Sequence, residues 1–148
     1  MKFAIVTLSL VAAAVVAGCS TSSMNDPAGA SNSAGTTSPG GETTIAYRGS
    51  ANIVAANLHL SFDSVSSDSR CPPKLQCVWS GSVIVKLSAS QISQMGQVQP
   101  VTLSTEPGKD TVTVYGQALK LLRVDPARTS AMPVPEASYR VVVRAGGG

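Results

Sequence analysis

From residue 42 onward, large apolar residues recur at every second position, and no stretch sustains the period of an amphipathic helix over three turns. A chain patterned in this way can bury one face as β-strand and has no long helix to offer. Leu58, Leu60 and Phe62 alternate with His59, Ser61 and Asp63, and Val83, Val85 and Leu87 lie opposite Lys86 and Ser88. Tyr139, Val141 and Val143 repeat the scheme against Arg140 and Arg144. Shorter runs at residues 101–103, 112–114 and 119–124 add strands, and residues 42–47 and 52–55 supply one or two more at the start. Between them stand Arg48-Gly49-Ser50, Pro72-Pro73, Gly96, Pro107-Gly108, Gly116, Pro126, and Pro133 with Pro135, all strong breakers. The expected fold is all-β, a single small β-sandwich of about seven short strands, with a barrel as the alternative closure. Residues 88–96 read equally well as a helical turn.

The amino terminus says where such a domain goes. One positive charge at Lys2 precedes an apolar run over residues 3–16, too short for a mature membrane span and typical of a secretory signal. It ends in Val16-Ala17-Gly18-Cys19, which resembles a bacterial lipobox. That resemblance implies acylation of the Cys19 thiol with diacylglycerol, cleavage before it, and a third acyl chain on the new terminus. Two chains already hold a protein on a bilayer stably, at about 0.8 kcal/mol per buried methylene, so three make a practically permanent anchor. The alternative is a plain secreted protein with a cysteine near its cleavage site. Ser20 stands where an aspartate commonly retains lipoproteins in the inner membrane, so the resemblance implies the outer membrane of the cell envelope, facing the periplasm.

Residues 20–41, STSSMNDPAGASNSAGTTSPGG, contain Met24 as their one large apolar side chain and cannot bury enough surface to offset the entropy of ordering. As a flexible coil they reach roughly 25 Å. The organisation expected is therefore a signal peptide at 1–18, a lipidated cysteine and flexible tether at 19–41, a sandwich at 42–145 and a frayed tail at 146–148. Removing Lys2 with the signal lowers the formal charge from +3 to +2, ten basic residues against eight acidic. The basic residues are scattered singly, without the stripe that nucleic acid requires, so no nucleic-acid partner is expected.

The densest stretch runs Asp68-Ser69-Arg70-Cys71-Pro72-Pro73-Lys74-Leu75-Gln76-Cys77-Val78-Trp79-Ser80-Gly81. In an oxidising compartment, with Cys19 committed to lipid, Cys71 and Cys77 form one even pair and are expected to be disulfide-bonded. Zinc would need more soft ligands, and a redox pair is normally spaced C-x-x-C. If Cys77 begins a strand, Trp79 shares its face and packs beside the disulfide as a core anchor; the rival reading is an exposed indole that stacks on a ligand. Gly81 reads as a bulge or a close-packing position. Asp68 and Arg70 bracket a serine and are expected to pair locally and fix the turn, with Lys74 at the loop tip.

This stretch, DSRCP followed by CVWSG, resembles a motif of small exported bacterial proteins, many of them lipoproteins, that form a group of unknown function. The likeness extends more loosely over residues 58–62, 83–87, 121–126 and 139–143. It implies an exported β-rich domain and carries no activity.

Other chemistry is poorly provided for. Calcium at Asp63 and Asp68 lacks the alternating carboxylates of a binding loop, and Cu(I) on His59 with Met95 or Met132 lacks clustering. No cofactor is expected. A catalytic triad needs a base near an activated serine, and His59 is the sole histidine. The mature chain has Tyr47, Phe62, Trp79, Tyr115 and Tyr139 as its aromatic residues, too few for both a core and a sugar cleft. The expectation is a non-catalytic envelope module that binds an unknown envelope protein or other component. The alternative is a protease inhibitor presenting the Cys71–Cys77 loop.

Overall fold

The computed structural model describes residues 35–38 and 41–146. The expected signal peptide and lipidation site at Cys19, most of the expected tether and the last two residues lie outside the described residues. Within them the chain forms two antiparallel sheets packed face to face, a β-sandwich of nine strands.

One sheet has the order β1-β2-β9-β8-β7, from Thr36–Thr37 (β1), Glu42–Ala46 (β2), Thr111–Val114 (β7), Gln117–Asp125 (β8) and Arg140–Ala145 (β9). The other has the order β3-β4-β5-β6, from Ser50–Ile53 (β3), Leu58–Asp68 (β4), Val83–Gln91 (β5) and Gln94–Ser104 (β6). Alternation decides which side chains meet between them. Leu58, Leu60, Phe62, Val83, Val85 and Leu87 from one sheet, and Ile45, Leu119, Val141 and Val143 from the other, are all at most 1% exposed. The Phe62 ring meets that of Tyr47 edge to face, with centroids 5.7 Å apart.

One expectation needs correction, and one reading left open is decided. The tether is not free up to residue 41: β1 pairs with β2 through Thr36↔Thr44 and Thr37↔Thr43, and Gly35 N–H donates to the Ser50 carbonyl at 2.9 Å. The outer edge of β2 offers unpaired peptide groups, and threonine suits a strand. At Gly35 a side chain would collide with Ala51 and the Thr44 carbonyl. The segment at 88–96 is not a helical turn but the β5–β6 hairpin, closed through Ile92 and Ser93.

The β6 edge is irregular. Ala89 pairs with Gln99 and Gln91 with Gln94, so residues 95–98 of β6 bulge opposite Ser90 alone. Met95 lies over Ser90, and the Tyr115 hydroxyl, from the β7–β8 turn, donates to the Gln97 carbonyl at 2.8 Å.

All the pairings share one polarity. At one end of the sandwich β2, β4, β6 and β8 finish while β5 and β9 begin, as Asp68↔Val83, Ile84↔Ser104, Ala46↔Arg140 and Asp125↔Arg140 show. The disulfide segment between β4 and β5 projects from that end. So does the segment between β8 and β9, which starts with a cis Asp125–Pro126 peptide.

Candidate functional site: the stapled tip between β4 and β5

The loop is built as a zipped stem carrying a small ring. Where β4 ends, Ser69 N–H donates to the Ser82 carbonyl at 2.9 Å, Ser82 N–H returns to Ser69 Oγ at 3.0 Å, and Cys71 N–H donates to the Ser80 carbonyl at 3.0 Å. Gly81 makes the close approach possible. It sits at φ +67°, and a Cβ there would run into the Ser69 carbonyl, so the close-packing expectation holds. Above the stem, Cys71 and Cys77 are disulfide-bonded with Cα atoms 6.0 Å apart. Within the ring, Leu75 N–H donates to the Pro72 carbonyl at 3.0 Å and closes a tight turn.

The stem rests on a polar clasp. Asp68 Oδ2 accepts from Arg70 Nη2 at 2.6 Å and from the Tyr139 hydroxyl at 2.8 Å, while Oδ1 accepts from Arg70 Nε at 2.9 Å and Arg70 N–H at 3.2 Å. Arg70 also donates through Nη1 to the Val124 carbonyl at 2.8 Å, and Arg128 Nη1 donates to the Asp68 carbonyl at 3.0 Å. Asp68 and Arg70 therefore pair locally as expected, and the clasp joins both sheets. Tyr139, Arg128 and the Val124 carbonyl were missed, since their links to this loop span 54 to 71 residues and leave no local signal.

Titration follows from this geometry. Burial works to raise the Asp68 carboxyl, yet the hydrogen bonds from Arg70 and Tyr139 outweigh it and leave the group below its ordinary range. The bond to Asp68, against the opposing effect of burial, raises the Arg70 guanidinium further. Burial, reinforced by the hydrogen bond to Asp68, pushes the Tyr139 phenol up to about 12. These groups hold one another; their polar atoms are spent on structure.

The tip itself is apolar and open. Val78 is 86% exposed, Trp79 80% and Leu75 50%, and Lys74 is exposed beside them. Trp79 is not a core anchor. Cys77 begins no strand, the chain bends at residues 78 and 79, and β5 starts only at Val83, so no sheet register turns the indole inward. Instead Trp79, Val78 and Leu75 line a shallow open hollow with the disulfide cysteines. Met132, 74% exposed, belongs to the β8–β9 segment at the same end.

Beside the clasp lies a cleft of about 320 Å³ between the end of β4 and residues 133–139. Its Glu136 accepts a hydrogen bond from Tyr47 at 2.7 Å, and Arg128 is held by three backbone carbonyls. The residues weighed as metal ligands are dispersed. Asp63 accepts from Ser88 at 2.7 Å, His59 Nδ1 lies 2.7 Å from Asn52 Oδ1, and Met132 is at the opposite end from His59. Met95 reaches Ser90, the cross-strand partner of His59. Among the described residues no three His, Cys, Asp or Glu side chains converge on a common point.

Comparison with protein families, with curated proteins and with solved structures finds no match for this chain.

Proposed function

We propose that the protein is a lipid-anchored, non-catalytic module of the cell envelope whose working surface is the stapled tip at residues 71–81. One observation carries this reading. A loop that fixes its own backbone by disulfide, stem and clasp nevertheless turns its tryptophan, a valine and a leucine toward solvent. Exposed side chains of this kind on a rigid mount lose little freedom on binding, which favours contact with a partner. The perturbed groups at the base are engaged with one another, as in a structural ion pair, and the likeness to exported lipoproteins of unknown function accords with an anchor at Cys19.

The test has two parts. Metabolic labelling with a fatty acid should mark the wild type and not Cys19→Ala. A photoreactive amino acid at position 78 should give an adduct with an envelope component in intact cells, while the same probe at the exposed position 54, at the other end of the sandwich, should not. Equal yields at both positions would overturn the tip as working surface.

The second reading, protease inhibition, rests on the exposure of Lys74 and Leu75 in the ring. Against it, the Leu75 to Pro72 bond closes a turn where a protease cleft takes extended chain. Inhibition of any member of a serine-protease panel, lost in Lys74→Ala, would reinstate it.

A further inference from the structure

We infer that the tip docks on lipid: Leu75, Val78 and Trp79 sit in the headgroup boundary of the same membrane that holds the Cys19 anchor, an inference that rests on the anchor proposed above. The direction of β1 is the first argument. β2 runs toward the tip end of the sandwich, and β1 runs antiparallel to it, with Thr36 nearer that end than Thr37. Gly35 bonds to Ser50, the first residue of β3, which pairs with Ser61 within β4 and from there runs away from the tip end. The described chain thus enters β1 heading away from the end on which the tip projects.

Length supplies the second. Fifteen residues separate Cys19 from Gly35, and a coil of their composition has an expected root-mean-square reach of about 21 Å. The eleven-residue β4 alone is roughly 35 Å long at strand rise. The mean reach of the leash is less than the length of β4, which favours orientations with the attached side toward the bilayer.

Chemistry supplies the third. An indole with a valine and a leucine is the kind of cluster that settles at a membrane–water interface, and a lysine beside it can extend its stem over lipid while keeping its charge in water. Between Ser69 and Ser82 the sequence has Arg70 and Lys74 and no carboxylate. Arg70 is neutralised by Asp68, which leaves Lys74, so docking is chiefly apolar and depends little on anionic lipid.

Trp79 is the only tryptophan in the chain and reports directly. The full protein, matured and acylated in a bacterial host, is reconstituted in vesicles of phosphatidylethanolamine and phosphatidylglycerol. Its emission should lie to the blue of the same protein cleaved from its anchor, with quenching by lipids brominated near the headgroup and weak quenching by iodide. Val78→Asp should return the indole to iodide while the protein still floats with the vesicles. A wild type that floats with a water-exposed indole overturns the docking and spares the anchor. One that does not float overturns both. An indole shielded in native envelope membranes but open to iodide in protein-free vesicles overturns lipid docking in favour of a protein partner.

Discussion

Tyr139 donates its phenolic hydrogen to the Asp68 carboxylate over 2.8 Å although 71 positions separate the two residues. The bond ties the segment entering β9 to the last residue of β4, and so closes the sandwich beneath the tip. Tyr139→Phe removes this bond and nothing of the ring, which is 4% exposed as a residue. A hydrogen bond to a charged group contributes about 1.5–3 kcal/mol, so urea unfolding should show a loss in that range.

The same bond gives stability two pH limbs. A carboxyl held below its ordinary pKa contributes fully above about pH 4, and its contribution is lost as acid carries the pH down through the folded value. A phenol raised from 10.0 to about 12 contributes fully below the unfolded value, and that contribution is lost as the pH rises through the folded one. Melting temperature measured against pH should fall at both extremes in the wild type. Tyr139→Phe should flatten the alkaline limb between those two values.

Gly81→Ala tests the stem. The positive φ and the Ser69 carbonyl leave no room for a methyl group, so the stem must part or shift. A cost of about 2–3 kcal/mol in chemical denaturation is expected from backbone strain and overpacking. An unchanged midpoint would show that residues 69 and 82 are not zipped.

Trp79→Ala and Phe62→Ala should differ sharply. Phe62 is 1% exposed and its truncation should cost about 3–5 kcal/mol, whereas changes at the exposed Trp79 should stay within about 0.5 kcal/mol. In aqueous buffer, native tryptophan emission should resemble that of indole in water. A large loss of stability for Trp79→Ala would mean that the tip folds back on the domain.

Trimming the amino terminus tests β1. A form starting at Gly35 should be more stable than one starting at Glu42 by about 1–2 kcal/mol, since the shorter form loses the β1 pairing and the Gly35 to Ser50 bond. Equal melting temperatures would return residues 35–38 to the tether.

The strands were legible because alternation is a local signal. Leu58-His59-Leu60-Ser61-Phe62 states its buried face outright, and the pairing of Asp68 with Arg70 lies within three residues. β1 was not legible, because two threonines in a polar run show no apolar pattern and gain their strand from the open edge of β2. Trp79 was placed wrongly for a related reason. Its burial was extrapolated from a strand starting at Cys77, whereas that register begins six residues later, at Val83. Residue chemistry identified the loop, but which way its indole points depends on turns that periodicity does not encode.

Were the chain held on a membrane as proposed, copies would meet often in two dimensions, where an open sheet edge invites fibre growth. The irregular β6 edge works against that outcome. Its bulge at residues 95–98 breaks the row of peptide groups a neighbour would need, and Tyr115 occupies the Gln97 carbonyl. Pro100, in the same strand, has no N–H to lend. The strand that looks least orderly is thus poorly suited to take on a further strand from a neighbouring copy.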